Sequence, residues 1–464
     1  MIDSSIAASA LADLWQGAGL DAGVLPRARL TGADPVLPSS FAVGAAAQSA
    51  IGAAALAATE LGRARGDRAR TVSVDMAAAL AECSAWFSIE GRVPDRWDKV
   101  SGLYRCRDGW VRVHANFAHH RDGALRLLGL APGADTPRAA VEMALASRGA
   151  LEFEAAAAEA GLVVAAVRDF DAWDATPQAA AIASQPLITW ERTGDAPPVS
   201  WPEWRPGSKP LAGIRVLDLT RILAGPVGGR TLAAYGAEVM LVNSPGLPNI
   251  ESIIETSRGK LSCHIDLDTE AGRESLRELV AGAHVFVQGY RPGALAARGF
   301  GPEALARLNP GLVQVSLSAY GHLGPWGTRR GYDSLVQTAT GFNDAEMRAA
   351  GEDKPRALPV QILDYASGFL VAFAAQVGLL RQAREGGGWH ARVALARTAL
   401  WLRSLPRVEG GFAVGVPPID RFVETSPSGW GTLAAVRHAG LIEGLAPGWT
   451  RPSVRPGTHP PRWV

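Results

Sequence analysis

The residues with the clearest chemical potential lie between Pro355 and Phe369, PRALPVQILDYASGF. A charged, turn-forming segment, GEDKPR, gives way to the apolar run LPVQIL and then to Asp364. An Ala/Leu/Val/Phe pattern starting at Gly368 predicts a buried helix. Asp364 therefore stands at a helix entrance. Two roles suit a carboxylate there: an N-cap that satisfies the first orphan amides, or a reactive group kept ionised by those amides and the helix dipole. Most positive charge elsewhere is arginine, lysine being scarce, and guanidinium suits fixed bidentate contacts with phosphate or carboxylate. The nine histidines form no metal-ligand spacing, and the adjacent His119 and His120 read as a surface loop.

The elements that must position these groups have ample chain to draw on. At 464 residues there is room for two or three domains and a sizeable core. Hydrophobic residues make up 47%, charged residues 20%, and the net charge is +1, an ordinary soluble composition. It points to neither a nucleic-acid surface nor a polybasic membrane anchor. Cys83, Cys106 and Cys263 are far apart and without CxxC spacing, the pattern of reduced thiols in a cytoplasmic protein. The opening MIDSSIAASALADLW has no basic region of the signal-peptide kind, and the Ala-rich stretch Phe41 to Leu61 suits a buried helix better than a membrane span.

Along the chain, Phe41 to Arg65 predicts a long buried helix, and TVSVDMAAALAECSAWF a strand passing into a helix. GLYRCRDGWVRVHANF predicts a hairpin about Asp108-Gly109. Residues 137 to 160 read as helical, and residues 193 to 210, rich in Pro, Gly and Trp, as a linker. From Leu211 strands and helices alternate with short connections: GIRVLDLT, ILAGPVGGRTLAAYG, AEVMLVN, SCHIDLD, TEAGRESLRELVAGA, HVFVQG and LVQVSLS. That is the pattern of an α/β fold, a parallel sheet wrapped by helices. No GxGxxG or P-loop pattern occurs, so nicotinamide, flavin and nucleoside-triphosphate chemistry lack their usual markers. A faint internal repeat aligns Val72, Val74 and Met76 with Ala391, Val393 and Leu395, each set following a long Ala-rich helix.

Several of these segments occur in an order that resembles the family III CoA-transferases, the CaiB/BaiF group. They are LAGIRVLDLTRILAGPVGGRTLAAYGAEVMLV, SRGKLSCHIDL, VFVQGYRPGALAARGFGPEALARLNPGLVQVSLSAYGHLGPW, RRGYDSLVQTATGF and LPVQILDYASGFL, spread over residues 211 to 400. The resemblance implies a Rossmann-like open parallel sheet with helices on both faces and a smaller α+β domain. The boundaries expected are 1–205 for an N-terminal region like the family's small domain, permuted or a degenerate repeat, 211–400 for the Rossmann-like domain, and 401–464 for a C-terminal arm.

The reaction implied is transfer of CoA from an acyl-CoA thioester to a small free carboxylic acid. Asp364 would attack the thioester carbonyl, form a mixed anhydride and release CoA thiolate. The amides at its helix entrance would hold the developing oxyanion. Asp333, in RRGYD, matches a second acid near the nucleophile; on its own it also reads as a cap or as an ion-pair partner of Arg329 and Arg330. Tyr332 stands where the related α-methylacyl-CoA racemases carry a histidine. A phenol is a poor base at neutral pH, which favours transfer over racemisation. Arg298 and Arg330 match basic positions that face CoA phosphates, and Arg258 and Lys260, in SRGKLS, would add charge there. The turn at Leu223 and Ala224 would let ligand approach the first strand's carboxyl end. Leu223 replaces a glutamine of formyl-CoA transferases, and the family's glycine-rich active-site loop is reduced to Ser101-Gly102. CoA would serve as substrate and product, with no tightly bound cofactor. An interlocked homodimer, or a pseudo-dimer within one chain, is expected. A racemase or acyl-CoA isomerase, and a non-catalytic CoA-binding homologue, are the alternative readings.

Overall fold

The computed structural model describes residues 5–199, 201 and 204–464. Part of the expected linker (residues 200, 202 and 203) and the first four residues lie outside the described residues. At its centre is a seven-stranded sheet. In chain order its strands are β1 (Thr189–Gly194), β2 (Arg215–Leu219), β3 (Glu238–Asn243), β4 (Lys260–His264), β5 (Val285–Gln288), β6 (Val313–Ser318) and β7 (Gly388–Ala394). Their spatial order is β4-β3-β2-β5-β6-β7-β1. Six strands run parallel and β1 pairs antiparallel with β7 at the edge. The order reverses between β2 and β5, and open α/β sheets place ligands in the crevice at such a switch point.

Strand residues alternate between two cores. Val216, Val239 and Val285 join one core with the long helices α1 (Val43–Ala64) and α6 (Ile362–Glu385) and with α2 (Ala224–Ala234). Leu217, Met240 and Phe286 join a second core beneath α3 (Glu270–Ala281) and α4 (Pro302–Leu308). Apolar residues pointing to both faces of the central strands are what a sheet covered on both faces requires. A short helix, α5 (Asp333–Ala339), precedes α6. The 24-residue α6 is apolar and long enough to cross a bilayer, but its apolar window is wholly buried in the fold.

Close packing of α6 on α2 depends on two glycines. A Cβ at Gly368 would stand 2.5 Å from the Ala224 carbonyl oxygen, and one at Gly228 would stand 2.8 Å from Val371. Only hydrogen at these positions allows the helices to approach so closely.

The smaller α+β unit is also present. Strands Gly102–Arg105, Trp110–Val113 and Val164–Ala166 form an antiparallel sheet, the first pair being the expected hairpin, packed against helices Arg138–Ala146 and Ala150–Glu159. The sequence repeat has a structural counterpart: α1 leads into the strand Val72–Asp75 and the helix Met76–Cys83, as α6 leads into β7 and the helix Leu395–Ser404. The expected linker starts too early, because Thr193 and Gly194 end the edge strand β1. Beyond residue 401 the chain returns onto its own body. Trp449 Nε1 donates to the Arg230 carbonyl (2.8 Å) and Trp463 Nε1 to the Leu279 carbonyl (3.0 Å).

Candidate active site

Asp364 lies in the first turn of α6. The N-cap is Gln361, which makes no side-chain cap bond, so Asp364 does not cap its own helix. That task falls to Asp333, at the start of α5, whose Oδ2 accepts the Asp364 N–H at 2.9 Å. Asp333 also accepts from the Leu363 amide, and its Oδ1 is held by the Gln337 side chain. The cap reading thus holds for Asp333, across two helices, rather than for Asp364. Its expected pairing with Arg329 and Arg330 is absent. Arg329 instead pairs with Glu154 (3.3 Å), while Arg330 Nη1 reaches His120 Nε2 (3.1 Å) and the Gly161 carbonyl (3.0 Å).

Among the described residues none donates a hydrogen bond to the Asp364 carboxylate, although the residue is only 6% exposed. Burial, and then the neighbouring Asp333, push the Asp364 pKa well above the ordinary carboxylate range. Burial raises Asp333 too, partly offset by its hydrogen bonds and by Arg112. The expectation that helix amides keep Asp364 ionised is therefore reversed, because Asp333 takes those amides. For the same reason the Leu363 and Asp364 N–H groups are not free to hold an oxyanion.

The N-terminal region supplies the surroundings. Arg112, whose Nε donates to Thr338 Oγ1 (3.1 Å), places its charge near Asp333. His114 stacks on Tyr332 with centroids 4.2 Å apart, and Trp97 meets His114 edge-on at 5.7 Å. Arg96 lies near the buried Tyr365 phenol. The segment carrying Arg96 and Trp97 thus lies near Tyr365 and His114. Gly102 is a strand residue whose hydrogen faces Arg138 Nη1, 2.7 Å from where a Cβ would sit. Burial raises the Tyr332 pKa further, leaving it protonated at neutral pH.

A cleft of about 470 Å³ opens at the switch point, with Leu219, Ile222, Tyr290 and Tyr332 in its walls. Ile222, at the β2–α2 turn, has φ of 77°, a strained conformation for a β-branched residue. Arg221, Arg291, Arg298 and Arg330 line the cleft with His119 and His120, against Asp266 and Asp268. Arg298 is paired with Asp268 at 2.8 Å, whereas the Arg291 side chain has no partner among the described residues. The surplus of guanidinium gives the cleft a positive lining.

Four expected residues lie elsewhere. Leu223 and Ala224 are buried at the start of α2, and the adjacent Ile222 and Arg221 face the cleft instead. Arg258 is buried in an ion-pair network with Glu255 (2.6 Å) beneath Trp449. Lys260 is buried against Asp218 and the Pro226 carbonyl, both at 2.8 Å. These two cations brace the fold rather than meet solvent. Sequence reasoning missed Arg221, Arg291 and His119–His120. The histidines are on the helix Ala118–Leu127, with rings 4.1 Å apart, rather than on a loop. The signal available for Arg221 and Arg291 was their position just after β2 and β5.

The profile of CoA-transferase family III matches residues 22–202 and 211–418, most of the chain in two stretches. A probable fatty acyl-CoA transferase of Mycobacterium tuberculosis is 36% identical over 211 residues, covering 42% of this chain and 53% of that protein. A succinate–glutarate CoA-transferase of Agrobacterium fabrum is 36% identical over 207 residues, covering 40% of this chain and 51% of that protein. The chain thus spans about half the length of these relatives. A CaiB/BaiF family protein of Brucella suis aligns in structure with a TM-score of 0.38 and 30% identity, over 48% of this chain and 65% of that one. With its family profile matched on both sides of residue 205, the chain belongs to CoA-transferase family III.

Proposed function

We propose that this protein is a CoA-transferase that moves CoA from an acyl-CoA to a small carboxylic acid through Asp364. The observation that carries the reading is the Asp364 carboxylate itself: buried, beside a second acid, and without a hydrogen-bond donor among the described residues. An anion so poorly stabilised is a strong nucleophile once ionised. Acylation turns it into a neutral anhydride and relieves the cost of burying its charge.

The chemistry follows in balanced steps. Asp364 Oδ attacks the thioester carbonyl carbon, the C–S bond breaks, and CoA leaves as thiolate. The thiolate attacks the aspartyl carbonyl and expels the donor acid as its carboxylate. The acceptor carboxylate then attacks the aspartyl thioester, and the returning thiolate takes the acceptor acyl group and regenerates Asp364. Arg221, Arg291 and Arg330 suit the CoA phosphates, and Asp333 orients the Asp364 turn.

One chain completes this site in our reading, since Arg112, His114 and Trp97 reach it from the same chain's N-terminal region. The three cysteines, buried and unpaired, suit a reducing cytoplasm. The test is transfer from radiolabelled acyl-CoA to a panel of acids by wild type and Asp364→Asn. Transfer by wild type alone is expected. α-Proton exchange in D2O without transfer would overturn the reading in favour of an isomerase, and CoA binding with neither activity would leave a binding protein.

A further inference from the structure

A second cavity, of about 170 Å³, lies on the β5-β6-β7-β1 part of the sheet, on the face away from α6. It shares Arg291, Pro292, Leu295, Leu317 and Ser318 with the cationic cleft, whereas Thr189, Gln288, Ser316 and His390 line it alone. Three adjacent strands carry a polar row across its floor. Gln288 Oε1 accepts the Tyr290 N–H (2.9 Å), which fixes the amide and points Nε2 to Ser316 Oγ (2.9 Å). Ser316 Oγ lies 2.8 Å from His390 Nε2. With the serine accepting from Gln288, its own proton is best satisfied by donation to Nε2, which leaves the histidine proton on Nδ1.

That Nδ1 has no partner among the described residues, although His390 is only 2% exposed. The buried Thr189 Oγ1, on the same side of the β7–β1 ladder, is also unpartnered. Arg397 Nε is used by the Gln185 carbonyl (2.7 Å), and its terminal nitrogens make no hydrogen bond among the described residues. Among the described residues no acid lines the cavity, and Glu191, beside His390, is paired with Arg392 at 2.6 Å, so Arg291 and Arg397 leave the cavity positive. Burial, and then Arg392, hold the His390 pKa down to about 3, so the ring is neutral and its Nδ1–H is available as a donor. Ile182, Leu187, Phe286 and Phe300 give the wall an apolar part, beside the polar Gln185, Gln314 and His322.

We propose that this cavity is a second ligand site, distinct from the acyl-CoA cleft, that binds a short-chain carboxylate with its oxygens on Arg397, Thr189 and His390 and its chain against the apolar wall. A carboxylate is acceptor-only, matching a set of unpaired donors. An amide or alcohol would leave donors facing donors or lack the charge.

Isothermal titration of the full chain with hexanoate tests this, with hexan-1-ol as the uncharged match. Hexanoate is expected to bind at least tenfold more tightly than hexanol, to bind equally well with saturating CoA present, and to lose at least tenfold in affinity in Arg397→Gln. Thr189→Val, which keeps shape, is expected to weaken binding severalfold and stands in if Arg397→Gln fails to fold. Equal binding of hexanol, full displacement by CoA, or unchanged affinity in the folded variants would overturn the proposal. Repeating the titration with Asp364→Asn keeps it independent of the transferase reading.

Discussion

The carboxylate of Asp333 accepts the backbone N–H of Asp364 at 2.9 Å, so one acid holds the turn on which the other is displayed. This relation makes the two carboxyl groups unequal. Asp333 has three hydrogen bonds and the Arg112 charge to favour its ionised form, whereas Asp364 has neither. The pair therefore loses its first proton mainly from Asp333 and its last from Asp364.

Transfer activity is accordingly expected to rise with pH along a limb displaced above the ordinary carboxylate range, as Asp364 ionises. Arg112→Gln removes a cation that favours ionised Asp333. With Asp333 protonated to higher pH, Asp364 faces less negative charge, so the limb is expected to move to lower pH while the alkaline side stays in place. A rate profile with saturating acyl-CoA checks this; a limb at the ordinary carboxylate position in both proteins would contradict it.

The same shifts set a stability signature. An acid whose folded pKa is raised makes the folded state hold its proton through a window starting at the ordinary value. Across that window stability falls as pH rises. Asp364→Asn is therefore expected to raise Tm by about 2–4 °C at neutral pH, with the gain fading towards pH 4. Thermal melts at several pH values measure it.

Glu82 behaves in the opposite sense. Burial opposes its ionisation, but His438 and Arg230 outweigh that and hold it down to about 2. Its carboxylate lies 2.8 Å from Arg230 and 3.0 Å from His438, tying the N-terminal region to α2 and to the C-terminal arm. Its stabilising effect is present above the unfolded carboxylate pKa and is lost as pH falls through the folded value. Glu82→Gln leaves Arg230 short of a partner in the core and is expected to cost about 3–5 kcal/mol at neutral pH by chemical denaturation.

The cleft residues predict a binding effect. Arg221→Gln and Arg291→Gln each remove a guanidinium from the cleft, and are expected to raise KM for acyl-CoA about tenfold with little change in kcat. Steady-state kinetics at fixed ionic strength decides it. Unchanged KM in both would remove the cleft from the account.

Much of this was legible in the sequence. Alternating apolar strands and helices after Leu211 specify the doubly wound sheet, and the acid at the mouth of a long apolar helix marks Asp364. The failures share a cause: tertiary neighbours that spacing does not show. Arg258 and Lys260 look like surface charges, yet Glu255 and Asp218 meet them inside the fold. The Asp364 turn looks like an ionising helix end, yet Asp333, 31 residues earlier in the chain, takes its amides. The edge strand β1 is hidden by neighbouring Pro and Gly because only its pairing with β7 makes it a strand.

A site completed within one chain predicts no rescue between chains. Coexpressed Asp364→Asn and Arg112→Leu chains are expected to give no more transfer than Arg112→Leu alone. Restoration towards wild-type activity would show that neighbouring chains share sites.

The most direct test of the central claim is trapping. Wild-type protein mixed with acyl-CoA and hydroxylamine, digested and read by mass spectrometry, should carry a hydroxamate on Asp364 that depends on acyl-CoA. Absence of the hydroxamate from Asp364 while transfer proceeds, or its appearance on another acid, would contradict the account.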